Sequence, residues 1–180
     1  MDMTSSHIAL WTVLGVALVI SVATDVLSRR ILDAVTYPLM AVGLGVRLWS
    51  EGVGDLETGL VSGVVSGVGM ALLLVPAATG GKMGWGDVKL MAGVGAVLGF
   101  PTVMAAAAFI SLAGALQAVV TLLWHGAVWE TLGHLVRRWA VRVRLMDESA
   151  VSAPGRHIPY GVAIALGTFW AMYWQHDKLG

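Results

Sequence analysis

Residues 8–25 read IALWTVLGVALVISVATD, an apolar run from Ile8 to Ala23 that carries no charge before Asp25 and is followed shortly by Arg29 and Arg30. A helix that crosses a bilayer needs about 20 mainly apolar residues, because no water is present there to satisfy broken backbone hydrogen bonds. The segment is therefore read as a first span that ends in an acid at the membrane boundary. A small-x-small pattern at Ser21-Val22-Ala23 imitates a signal cleavage site, but residues 1–24 hold no Lys or Arg, whereas a signal peptide begins with a positive region.

The same pattern recurs along the chain. Apolar segments run from Tyr37 to Trp49, short unless extended back through Ala34, then from Leu60 to Ala77, Val88 to Gly99, Thr102 to Trp124 and Ile158 to Trp174. Phe100-Pro101 separates two of them, since proline cannot continue a helix ladder. With 57% hydrophobic and 12% charged residues in 180, against roughly 25% charged in soluble domains, the membrane is the solvent to assume. The expected fold class is all-α, a polytopic membrane bundle of about six transmembrane helices forming one domain over residues 1–180.

Charge placement gives the orientation, because cytoplasmic loops retain Lys and Arg. With the N-terminus outside, Arg29, Arg30, Lys82, Lys89, Arg137, Arg138, Arg142, Arg144 and Arg156 all fall on the cytoplasmic side, and only Arg47 and Lys178 fall outside. This arrangement puts Asp25 and Asp87 at one membrane face. The formal charge is zero, which argues against a nucleic-acid partner. The absence of cysteine excludes disulfides, thiolate catalysis and Cys-ligated zinc.

Gly59, Gly63 and Gly67, with Ser62 and Ser66 one place earlier than the last two, put small residues on one helix face, as Gly95 and Gly99 do on another. Such faces serve either internal bundle packing or a homodimer interface. Residues 129–146 mix apolar and basic positions, which fits an interfacial helix lying on anionic headgroups or an ordinary positive-inside loop.

Ionisable groups inside or at the edge of a membrane are costly and mark function. Asp25 and Asp87 are the candidates: each flanks an apolar span on the basic face. Asp25 also has a plainer reading, an i,i+4 ion pair with Arg29. Asp87 has one as a helix N-cap after Gly86, where the helix dipole and backbone N–H groups favour a negative charge. Gly84 and Gly86, lacking side chains, would let a substrate backbone approach. Two carboxylates close enough to share a proton leave one protonated and one ionised. The ionised one takes a proton from an attacking water while the other donates to the scissile carbonyl. No cofactor or metal is required, and His7, His125, His134, His157 and His176 show no metal-ligand spacing.

Asp25-x-x-x-Arg29-Arg30-Ile31, Gly84-Trp85-Gly86-Asp87-Val88-Lys89-Leu90 and Ile158-Pro159-Tyr160-Gly161-Val162-Ala163 together resemble the type IV prepilin peptidases, membrane aspartyl peptidases of the Gly-x-Gly-Asp class. The resemblance implies that Asp25 and Asp87 are the catalytic pair, with Gly84, Gly86, Lys89, Arg29 and Arg30 shaping the site or binding substrate. It also implies a prepilin-like substrate with a basic leader and a hydrophobic helix, cut at the cytoplasmic face of the inner membrane. Without cysteine the chain looks like the short form serving tad-type pili, or like an archaeal preflagellin peptidase, lacking the zinc-bearing methyltransferase insert. Where the family usually continues Ile-Pro-Asn, this chain has Ile31-Leu32-Asp33.

Three other readings use the same acids. A presenilin-like peptidase would add Tyr-Asp and Pro-Ala-Leu motifs, which do not occur. A proton-coupled carrier would place its acids near the bilayer midplane rather than at span ends. An inactive pilus-assembly factor would have no need to keep both acids.

Overall fold

A computed structural model describes residues 3–28, 30–81, 83–124, 133 and 160–179. Six helices are placed among them: α1 (Met3–Ser28), α2 (Asp33–Glu51), α3 (Gly59–Thr79), α4 (Trp85–Leu98), α5 (Thr102–Trp124) and α6 (Tyr160–Leu179). Among the described residues the fold is all-helical, and each apolar segment of the sequence has its helix. Ile8–Ser28, Gly59–Thr79 and Thr102–Thr121 are long and apolar enough to cross a membrane on their own. The chain divides into two compact units, residues 1–114 with 159–180, and residues 115–158. The expected interfacial segment at residues 129–146 lies outside the described residues, apart from Gly133.

Within the first unit, α4 is the central helix. It spans only 14 residues, about 21 Å at 1.5 Å per residue, too short to cross a hydrocarbon core of about 30 Å. It survives there because it is enclosed: from Asp87 to Leu98 only Lys89 and Ala92 are not fully buried. A helix that is apolar all round belongs in an interior. Small residues on α4 and on its neighbours let the helices pack at close range. Gly43 of α2 meets Val97, Gly93 meets Leu39 of α2, and Gly95 lies against the Ser66 carbonyl of α3.

The stripe on α3 has the same purpose. A Cβ on Gly67 would stand 2.9 Å from the Ala92 carbonyl oxygen, and one on Gly63 would stand 3.0 Å from that of Ala96. Ser62 and Ser66 are buried on this face too. The Gly63 and Gly67 face is therefore occupied by α4 inside the bundle and is not available to a second copy.

The end of α4 farthest from Asp87 is closed by Arg47 of α2. Its guanidinium donates to the Val97 carbonyl at 3.0 and 3.2 Å and to the Leu98 carbonyl at 2.6 Å, and it pairs with Glu51 at 3.5 Å. The last carbonyls of a helix have no partner within it, and Arg47 supplies one at the negative end of the dipole. Gly99 then turns the chain at φ 64°, where a side chain would collide with that guanidinium. Phe100 anchors the reversal by donating its N–H to Ser62 Oγ at 2.9 Å.

Outside the apolar segments, the α2–α3 connection folds around Asp55. Its Oδ1 accepts the N–H groups of Glu57 and Thr58 at 2.9 and 3.0 Å. These backbone donors hold the Asp55 carboxyl below the usual carboxylate range.

Candidate active site

Asp25 sits one turn before the end of α1 and is 5% exposed. On the same face of α1, one and two turns earlier, lie the fully buried Ser21 and Leu18, so the face that carries the acid is the face turned into the bundle. Its Oδ2 accepts the N–H of Gly161, the second residue of α6, at 3.0 Å. The expected ion pair with Arg29 lies outside the described residues, as does Lys82. Arg30 is described and exposed.

Asp87 is likewise 5% exposed, but its place on α4 differs from the expected one. The helix begins at Trp85 with Gly84 as its N-cap, so Asp87 is the third helical residue rather than the cap. Its Oδ2 accepts the Gly84 N–H at 3.2 Å, which is half of a capping box. Glycine has no side chain to return the bond, and the Asp87 N–H goes instead to the Gly84 carbonyl at 3.2 Å. Trp85 and Gly86 are poor helix starters by propensity. The Asp87 side chain reaching back over them fixes this first turn.

The turn between α1 and α2 brings the two acids to one end of the unit. Ile31 in that turn lies against Gly86, where a Cβ would stand 2.9 Å from the Ile31 Cβ. Glycine at 86 thus admits Ile31. This differs from the reason expected for Gly86, which was room for a substrate backbone. A Cβ on Gly84 would face Asp87 Oδ2 at 3.3 Å.

Lys89, expected to shape the site or bind substrate, is engaged by the protein itself. Its Nζ bonds both carboxylate oxygens of Asp33 at 2.7 and 2.8 Å and lies 5.0 Å from the centre of the Tyr37 ring, within cation–π range. Asp33 opens α2, which extends back past Ala34 as the apolar pattern allowed. Three residues were not singled out from sequence for these roles: Asp33, Arg47 and Gly161. An acid and a lysine flanking apolar runs on the same membrane face were the one available signal for the Asp33–Lys89 pair.

A face that buries two carboxylates at helix ends, each held by a glycine N–H, can polarise water and exchange protons with a peptide carbonyl. Comparison with curated proteins and with solved structures gives no match to the chain. The family model of the type IV leader peptidases matches residues 12–119, well over half of the chain and inclusive of both acids and the Gly84–Leu90 motif. On that match the chain, helical among its described residues and with three helices apolar enough to cross a membrane, belongs to the type IV leader peptidase family.

Proposed function

We propose that the protein is a membrane aspartyl endopeptidase that removes the leader from type IV prepilin-like proteins at the cytoplasmic face of the inner membrane, residues 1–180 acting as one peptidase domain. Asp25 and Asp87 are its catalytic pair. One carboxylate, ionised, takes a proton from water as the water oxygen bonds to the scissile carbonyl carbon. The other, protonated, gives its proton to the carbonyl oxygen. Collapse of the resulting diol breaks the C–N bond, and the leaving amine carries a proton away. The leader's basic residues and the hydrophobic helix behind the cut suit a site at the boundary between water and bilayer.

The observation that carries this reading is the burial of two acids at the same end of one helical unit, in a chain of the leader peptidase family. Ordinary boundary carboxylates remain hydrated. The experiment is cleavage of a synthetic prepilin by purified protein in nanodiscs. Asp25→Asn and Asp87→Asn are each expected to lower kcat by more than about 1,000-fold, the scale on which one member of a catalytic unit acts, with the folded helical content retained. Full activity in either variant would remove the pair from the mechanism. Cleavage is expected to withstand EDTA, and strong inhibition by it would put a metal in the reaction instead.

A further inference from the structure

α6 brings no acid to the site, yet it makes a buried polar contact with one. The first N–H groups of a helix have no carbonyl a turn earlier to bond, and the Gly161 N–H spends its bond on Asp25 Oδ2 at 3.0 Å, inside the protein. A Cβ built on Gly161 would stand 2.7 Å from that oxygen, 3.2 Å from the Asp25 Cβ and 3.3 Å from its Cγ. The carboxylate therefore occupies the volume that any side chain at this position would need. The family match ends at residue 119, so the contact is contributed by a part of the chain beyond it.

A carboxylate turns easily about its last torsion, whose wells are broad. Proton transfer nonetheless requires the working oxygen within about 2.6–3.2 Å of its partner, and a misplacement of about 1 Å costs on the order of 100-fold in rate. Something must hold Asp25 in one orientation. We infer that Gly161 is its positioning residue: the N–H pins Oδ2, the bare Cα leaves room for it, and Oδ1 is thereby the oxygen that meets the water and the second acid. This rests on Asp25 belonging to the catalytic pair.

Three variants in nanodiscs test it by steady-state prepilin cleavage. Gly161→Ala inserts a methyl group where the carboxylate lies, and kcat is expected to fall by about 100-fold with KM changed by less than about 3-fold. Replacing the amide of Gly161 by an ester deletes the N–H without adding a side chain, and kcat is expected to fall by about 10-fold, the size of one lost hydrogen bond. Leu166→Ala changes an exposed side chain of the same helix, and kcat per folded molecule is expected to stay within about 3-fold.

Wild-type kcat in the ester variant would overturn the inference even if Gly161→Ala failed to fold. So would a loss confined to KM, or an equal loss of kcat in Leu166→Ala. In each case, an inactive Asp25→Asn would show that the peptidase reading stands and only the role of Gly161 has failed. An active Asp25→Asn would remove both.

Discussion

Lys89, two residues beyond Asp87 on α4, grips Asp33 at the start of α2 through both carboxylate oxygens, at 2.7 and 2.8 Å. The pair ties the α1–α2 turn to the helix that carries the second acid. Both side chains are partly exposed, at 31% and 57%, so water and salt screen the bridge and its contribution is small. Asp33→Asn and Lys89→Met are each expected to lower kcat/KM by no more than about 5-fold. In a double-mutant cycle the combined loss should be smaller than the sum of the single losses. Strict additivity would mean that the two residues act independently.

Gly86 and Ile31 make the apolar half of the same junction. Gly86→Ala would bring a Cβ within 2.9 Å of the Ile31 Cβ, and relief requires that either the turn after α1 or the first turn of α4 move. Either movement displaces an acid. Activity is expected to fall by about 100-fold, and Ile31→Gly in the same molecule, which removes the colliding atom, is expected to recover at least about 10-fold of it. A double variant no better than Gly86→Ala would show that the glycine is kept for another reason, such as substrate approach.

Much of this arrangement is legible in the sequence because its signals are local. The apolar runs and the breaks at Gly80-Gly81 and Phe100-Pro101 are each read within one segment, and all six runs have a helix. The acids stand out because boundary charge is expensive. The remainder depends on partners distant along the chain. Trp85 and Gly86 read as loop by propensity and become helix because Asp87 folds back over them. Arg47 reads as an ordinary charge near a span end, until the α4 carbonyls that it caps, 50 and 51 residues away, are placed beside it. No spacing rule links Gly161 to Asp25 across 136 residues.

Arg47 is expected to matter for stability more than for chemistry. Arg47→Met would leave the Val97 and Leu98 carbonyls without their guanidinium donor and remove the buried partner of Glu51. Breaking a buried ion pair costs about 3–5 kcal/mol, so reversible unfolding in detergent should show a loss near the lower end of that range. kcat measured on the folded fraction should change by less than about 3-fold, because the cap lies at the opposite end of α4 from Asp87. Undiminished stability would mean that water or lipid headgroups replace the guanidinium at no cost.

The glycines of α3 and α4 offer a paired test of how α4 is held. Gly95 abuts the backbone carbonyl of Ser66, with no flexible side-chain end to yield, whereas a Cβ on Gly69 of α3 would meet nothing within 4 Å. Gly95→Ala must push two helices apart, and overpacking of this kind costs about 1–3 kcal/mol. Gly69→Ala adds no collision and restricts the unfolded chain, so it should stabilise by about 0.4–1 kcal/mol. The two changes are chemically identical and lie in packed neighbouring helices, so opposite signs in a thermal or denaturant unfolding series would trace the difference to helix contact. If both substitutions shifted stability the same way, close α3–α4 packing would not be what keeps this short central helix in place.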